Sequence, residues 1–156
     1  MKLNTKLLTS TALVSAMLIF PVANAKTFKM ALGDAEGSAQ FELGSKFSEV
    51  FAEKTGGMHK IAMFPNGQLG SEQDTVNEAA IGTLDFSLLA INNITPFAPK
   101  TGLLTLPYMI QSLEDAVKLT RGEVGKELTE STIQDAGIRI VGWSYTGFRV
   151  LTNSKK

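Results

Sequence analysis

The chain has 156 residues, of which 44% are hydrophobic and 19% are charged, and its mean hydropathy is +0.07. These values describe an ordinary globular protein and exclude a disordered or collagen-like chain. The sequence contains no cysteine, which excludes disulfides and thiolate metal sites, and its single histidine excludes a histidine-rich metal site.

The first 25 residues, 1–25, have the pattern of a secretory signal peptide. Lys2 and Lys6 form a positive start, an apolar run follows, and the Ala-Asn-Ala stretch at 23–25 is a small-x-small cleavage pattern. A membrane anchor is the alternative, but the apolar run is short and is closed by a proline. We therefore expect cleavage after Ala25 and export to a bacterial periplasm.

The exported part of the chain, residues 26–156, has a slight acidic excess. Without Lys2 and Lys6 it carries 13 basic residues against 15 acidic ones. Nucleic acid is not an expected partner, because a domain that binds it normally presents a basic face.

The first half of this part alternates between strand and helix patterns. A strand is predicted over 27–33, and a helix follows with an apolar stripe over 43–54 that ends at two glycines. A second strand is predicted over 59–64. After the turn-rich stretch PNGQLG, Ser71 and Asp74 have the spacing of a capping box that opens a second helix, which ends at Gly82.

The second half continues the alternation. Residues 83–91 form a nearly continuous apolar run, which is typical of a parallel strand covered on both faces. Ser112 and Asp115 repeat the cap pattern and open a third helix, which Gly122 or Gly125 can interrupt. A long β-rich run then extends over 138–152.

The order of these elements predicts an α/β domain with a largely parallel sheet. In such sheets, ligands bind at the carboxyl ends of the strands, in the loops that open the helices. Those loops are expected at 33–40, 65–71 and 90–100.

The sequence shows no recognisable set of catalytic residues. His59 is interpreted as a half-exposed strand residue, and no G-x-S-x-G nucleophile elbow occurs. The loop at 33–38 lacks the lysine and the glycine spacing of a phosphate-binding loop, so we interpret it as a strand-to-helix turn. Four carboxylates lie in the first loops or near predicted helix starts, where the positive end of the helix stabilises a negative charge. We interpret their role as structural: Asp34, Glu36, Glu72 and Asp74.

Arg149 lies between Phe148 and Val150 inside the last β-rich run. On an exposed edge its guanidinium is simply a solvated side chain. In a cleft, the same planar group with five donors is suited to hold a carboxylate through two hydrogen bonds. The spacing alone does not decide between these two readings.

Six phrases occur in an order that resembles one known family. They are FSEVFAEKTGG before KIAMFP, then FPNGQLGSE, IGTLDFSL, LPYMI and GFRVLTNS. Together they resemble the solute-binding proteins of tripartite ATP-independent periplasmic (TRAP) transporters, the DctP-like family, over essentially all of residues 26–156.

The resemblance implies a two-lobed α/β fold of the periplasmic solute-binding protein type, with the ligand in the cleft between the lobes. It implies a binding protein without catalysis or cofactor, which captures a small organic acid anion (a dicarboxylate, a keto acid or a sugar acid). The expected partners are that anion and the membrane permease subunits of the transporter, and we expect a monomer.

The resemblance also implies the residues that contact the ligand. Arg149 is expected to be the main anion contact, and Phe148 and Tyr145 are expected to shape the pocket. Further polar contacts and close backbone approaches are expected at Glu72, Asn92, Asn93, Asp34 and Gly33.

A second arginine of the family, in a K-G-x-K-x-R phrase, does not occur in these 156 residues. We therefore expect residues 26–156 to be the N-terminal portion of a solute-binding protein, comprising the first lobe and the first hinge strand that crosses into the second.

Two other functions are compatible with the sequence. One is a ligand-sensing extracytoplasmic domain of a signalling receptor, which a downstream membrane span would support. The other is an exported α/β enzyme, which would need a catalytic pair that the sequence does not reveal.

Overall fold

The computed structural model of the protein describes residues 25–147 and 152–155. The predicted signal peptide lies outside these residues up to position 24. The described elements are the strands β1 (Thr27–Leu32), β2 (Lys60–Phe64) and β3 (Phe86–Leu88), the helices α1 (Ala39–Lys54), α2 (Glu72–Ala80), α3 (Leu113–Arg121) and α4 (Glu123–Ala136), and two 3-10 helices at Ile91–Asn93 and Pro99–Thr105.

The three strands form one parallel sheet in the order β2-β1-β3. β1 pairs with β2 from Thr27 opposite Lys60 onward, and with β3 from Met30 opposite Phe86 onward. The predicted α/β class with a parallel sheet is confirmed. Because the strands are parallel, all three end at the same side of the sheet, which we call the carboxyl edge.

Helix α1 covers one face of this sheet. Gly44 of α1 lies against the side chains of Met30, Leu32 and Leu88, and a Cβ atom at position 44 would lie 3.0 Å from Leu32 Cδ2. The glycine therefore permits close packing of helix on sheet. Four aromatic rings continue this layer, with centroids 5.3–6.2 Å apart: Phe28, Phe47, Phe51 and Phe86.

Helix α2 packs on the opposite face. The hydroxyl oxygens of Thr75 and Ser87 lie 2.7 Å apart, so α2 is joined to β3 by a hydrogen bond. The next residue, Val76, is buried with Ile94 and Ala98 in a small apolar core. β3 is thus covered on both faces, as the apolar run at 83–91 predicted, although the strand itself is shorter.

The predicted helix starts are confirmed. Ser71 Oγ accepts a hydrogen bond from the Asp74 backbone N–H, and Asp74 Oδ2 accepts one from the Ser71 N–H, which completes the capping box of α2. Ser112 Oγ accepts from the Asp115 N–H at the start of α3. The predicted interruption occurs at Gly122, between α3 and α4.

The β-rich run at 138–152 was predicted as a strand, and this prediction is wrong for the described part of the run. Residues 138–147 and Thr152 form no strand. A strand requires a neighbour with which its backbone can pair, and the described sheet contains only β1, β2 and β3. Ile138 instead packs against the small apolar core, while the side chain of Val141 is 69% exposed.

No helix within residues 25–147 and 152–155 is both long enough and apolar enough to span a bilayer.

Candidate functional site

The loops after β1 and β2 are joined at the carboxyl edge. Asn66 and Gly67 adopt positive φ angles of 57° and 65°, a turn conformation that asparagine and glycine tolerate best. The turn directs both backbone N–H groups back toward β1. Asn66 N donates to Asp34 O at 2.8 Å, and Gly67 N donates to Leu32 O at 3.0 Å.

The carboxylate of Glu72 connects three segments at this edge. Glu72 is the first residue of α2 and is half-buried. Its Oε1 accepts a hydrogen bond from Gln40 Nε2 at 2.9 Å. Its Oε2 accepts from the backbone N–H of Ala90 at 2.9 Å and from Asn93 Nδ2. One side chain thereby links α1, α2 and the segment that follows β3.

Gln40 extends these contacts to the loop after β1. Its Oε1 accepts a hydrogen bond from the backbone N–H of Asp34 at 2.8 Å, while its Nε2 donates to Glu72. We call the five residues joined by these bonds the Glu72 network: Asp34, Gln40, Glu72, Ala90 and Asn93.

Gly33 leaves the space that the Glu72 carboxylate occupies. A Cβ atom at position 33 would lie 2.8 Å from Glu72 Cγ and 2.9 Å from Glu72 Cδ, closer than carbon atoms approach in folded proteins. The lack of a side chain at position 33 therefore allows Glu72 to lie directly against the end of β1.

The side chains at the carboxyl edge are polar groups that form hydrogen bonds. The Glu72 carboxylate is a fixed acceptor, and the exposed side chains of Asp34 and Asn92 border it. Asn92 Nδ2 donates to Asn93 Oδ1 at 3.4 Å, which ties it loosely to the Glu72 network. In the part of the chain that the structure describes, no group of three or more His, Asp or Glu side chains is placed to hold a metal ion.

Two perturbed carboxylates outside the network have structural roles. Hydrogen bonds from the hydroxyl and backbone N–H of Ser71 lower the pKa of Asp74, as befits a capping residue. At the opposite edge of the sheet, the ammonium of Lys26 lies 2.7 Å from Asp85 Oδ1 and lowers the pKa of that carboxyl. Asp85 Oδ2 also accepts from the backbone N–H of Lys29 at 2.9 Å.

The structure brings together five of the eight residues predicted as ligand contacts. Gly33, Asp34, Glu72 and Asn93 meet at the carboxyl edge, with Asn92 beside them. Arg149 and Phe148 lie outside the described residues, so their predicted roles stay predictions.

Tyr145, the remaining predicted contact, is bound elsewhere. Its hydroxyl donates to the backbone carbonyl of Ala116 at 3.0 Å and pairs with the Thr120 hydroxyl. Both partners belong to α3, and within the described residues no hydrogen bond joins Tyr145 to the Glu72 network. In this conformation the tyrosine fixes the run after α4 to α3.

Sequence reasoning missed Gln40. A glutamine in the first turn of a helix has no distinctive pattern, and its main partner, Glu72, is 32 residues away along the chain. The only available signal was its position at the end of loop 33–40, which was predicted to border the ligand site.

Two open depressions lie away from the carboxyl edge, beside α3 and α4. One has a volume of about 520 Å³ and includes Met109, Lys118 and Val124 in its lining. The other, of about 400 Å³, includes Arg139 and Trp143. We favour the carboxyl edge as the site, because ligands of parallel α/β sheets gather there and because neither depression contains a residue of the Glu72 network.

Comparison with known proteins gives a consistent result. The bacterial extracellular solute-binding proteins of family 7 (DctP) match residues 30–156. A solute-binding protein of Roseobacter denitrificans is 30% identical over 142 residues, which cover 90% of this chain and 43% of that protein. The chain spans between about a quarter and about two fifths of the length of the curated relatives that it matches.

Two solved structures extend the comparison to the fold. A TRAP periplasmic solute-binding protein from Rhodobacter sphaeroides, in an open form without ligand, is 33% identical with a TM-score of 0.77, over 83% of this chain and 42% of that one. A TRAP periplasmic solute-binding protein from Roseobacter denitrificans, with bound L-galactonate, is 31% identical with a TM-score of 0.68, over 72% and 37% of the two chains.

Proposed function

The chain belongs to the bacterial extracellular solute-binding protein family 7, and from this premise we propose that it is the extracytoplasmic solute-binding component of a TRAP transporter. The observation that carries the proposal is the family match over residues 30–156. The proposed role is to capture a small organic acid anion in the periplasm and deliver it to the membrane permease. It consists of binding and release and involves no covalent step.

The proposed ligand is a small carboxylate, with a sugar acid as the first candidate. The galactonate-bound relative supports this class, because galactonate combines one carboxylate with several hydroxyl groups. The Glu72 network offers a fixed acceptor for such hydroxyls. Arg149 is proposed to bind the carboxylate, since a guanidinium can hold it through two charge-assisted hydrogen bonds.

The proposed mechanism is a shift in a conformational equilibrium. In a two-lobed binding protein, a ligand that contacts both lobes favours the closed form by the contacts that only this form makes. The carboxyl edge of the described sheet would supply one side of the cleft. The permease would then recognise the closed, loaded monomer. Export through the signal peptide at 1–25 is part of the same proposal.

Isothermal titration calorimetry on the complete product of the gene tests this function. The panel contains L-galactonate, a dicarboxylate such as succinate, a keto acid, and galactitol as a neutral polyol without a carboxylate. We expect at least one acid to bind and galactitol not to bind. Failure of every acid to bind, or equal binding of galactitol and galactonate, would contradict the proposal.

The role of Arg149 is tested in the same assay. Arg149→Ala is expected to weaken binding of the acid at least about tenfold, which corresponds to about 1.4 kcal/mol. Arg121→Ala is the matched control, because Arg121 is an exposed arginine at the end of α3. Equal affinities of the two variants would remove Arg149 from the site and leave the binding function intact.

A further inference from the structure

The side-chain amide of Gln40 has its orientation fixed by two different partners. Its carbonyl oxygen accepts from the backbone N–H of Asp34, and its NH₂ group donates to the Glu72 carboxylate. The reverse orientation would place a donor against the N–H and an acceptor against the carboxylate, so only one orientation satisfies both contacts. Among side chains of this length without an ionisable group, only glutamine supplies both an acceptor and a donor here.

The hydrogen bonds that Glu72 accepts from described residues do not use every acceptor position of its carboxylate. Each carboxylate oxygen can accept about two hydrogen bonds. Oε2 receives two donors, from Ala90 and Asn93. Among the described residues, Oε1 receives one, from Gln40. Among the described residues, one acceptor position of Oε1 is therefore left without a donor, and Oε1 itself lies beside Gly33 at the end of β1.

We propose that Gln40 is a positioning residue that holds the Glu72 carboxylate so that Oε1 accepts a hydroxyl group of the bound acid. This inference rests on the proposed function for its ligand, and it adds the residue that orients the acceptor for a ligand hydroxyl. Gln40 acts through Glu72 and does not itself contact the ligand.

Gln40→Glu is the informative substitution, because it keeps the shape of the side chain and exchanges its donor for a second carboxylate. Two carboxylates in hydrogen-bond contact disfavour each other's ionised form, so one proton is retained to higher pH. When protonated, the new side chain again donates to Glu72 and accepts from Asp34. The geometry is therefore lost near neutral pH and restored in mild acid.

The first measurement is an NMR titration of the Ala90 backbone amide, which donates to Glu72 Oε2 and reports on that carboxylate. In Gln40→Glu, its titration midpoint is expected at higher pH than in the unmodified chain. The matched control is Gln73→Glu, since Gln73 is exposed, lies next to Glu72 and has no bond to the Glu72 network. An equal midpoint in both variants would overturn the positioning role, whether or not any acid binds.

The second measurement is the affinity for L-galactonate between about pH 8 and about pH 5. Gln40→Glu is expected to weaken binding at least about tenfold near pH 8 and to recover most of that loss near pH 5, whereas Gln40→Leu stays weak throughout. A shifted Ala90 midpoint without binding of any acid refutes the proposed function but retains the positioning role. Normal binding by Gln40→Glu at all pH values overturns the inference about the ligand hydroxyl.

Discussion

Gly33 and Glu72 lie so close together that the residue type at position 33 determines where the Glu72 side chain can lie. Any side chain at position 33 would occupy the space of the Glu72 side chain, whose carboxylate is held by three hydrogen bonds. A free glutamate would rotate away at little cost. A glutamate held by three donors must instead break some of those bonds, and the freed donors lie partly buried.

Gly33→Ala is therefore expected to lower the free energy of unfolding by about 1–3 kcal/mol, the usual cost of leaving buried polar groups without partners. The measurement is denaturant-induced unfolding of the exported chain. Gly142→Ala is the control, because a Cβ atom at position 142 meets no atom within 4 Å and Gly142 has no positive φ. Similar effects of the two substitutions would show that Glu72 is not held in place.

The Glu72 network also shows how far residue-level prediction from the sequence reaches. Gly33, Asp34, Glu72, Asn92 and Asn93 were expected near the ligand because the resemblance to the DctP-like family implies it, whereas the strand pattern alone predicted only the loops in or beside which they lie. Gln40 was not expected, because its role depends on a partner that only the folded chain brings within reach. Local patterns indicate which loops meet, but they do not indicate which side chains connect them.

At the scale of single elements, the capping box makes the start of α2 sensitive to pH. The bonds from Ser71 lower the pKa of Asp74 in the folded protein. A lowered pKa means that the ionised carboxylate stabilises the fold at pH values above the ordinary range of aspartate, about 4, and that this contribution disappears as the pH falls through the folded value.

Asp74→Ala is accordingly expected to lower the thermal unfolding temperature at neutral pH, and the difference from the unmodified chain is expected to shrink as the pH falls below about 4. Circular dichroism melts over this range supply the measurement. Asn77→Ala, an exposed and uncharged site on the same helix, is expected to cause a shift that does not vary with pH. A loss in Asp74→Ala that is constant with pH would contradict the role of the charge.

A helix or strand could be predicted from the sequence where the residues that determine it lie close together along the chain. The caps at Ser71 and Ser112 depend on residues three positions away and were predicted correctly. β3 was predicted over nine residues but pairs over three, and the run at 138–147 has strand-like residues without a strand. Strand pairing depends on segments that are distant in the sequence. β propensity therefore identifies candidate strands but not which of them pair in the sheet.

At the scale of the whole molecule, the two edges of the sheet carry different kinds of interaction. The carboxyl edge holds the Glu72 network, whose members come from segments that are far apart in the sequence. The opposite edge carries the ion pair between Lys26 and Asp85, which fixes the start of β1 to the start of β3. The carboxyl edge is the proposed binding edge, and the ion pair at the opposite edge includes Lys26, the first residue of the proposed exported chain.

Lys26 is already held by the fold at its backbone. Its carbonyl accepts from the Lys60 N–H at 3.1 Å, and its own N–H donates to His59 Nδ1 at 3.2 Å. The ammonium of Lys26 also lies 4.2 Å from the centre of the Phe28 ring. Cleavage after Ala25 would leave this anchored residue as the new terminus, so removal of the signal peptide would cost none of these contacts.

We therefore expect the chain recovered from the periplasm of an expressing bacterium to begin at Lys26, as determined by intact mass and N-terminal sequencing. Ala25→Lys places a large charged residue at the cleavage position, which requires a small one, and is expected to leave most of the chain with its original N-terminus. Ala35→Lys makes the same change at an exposed position of the folded domain and should be processed normally. An unmodified chain that reaches the periplasm with residues 1–25 attached would show that these residues anchor the protein, and export would then leave it bound to the membrane instead of free to carry its ligand to the permease.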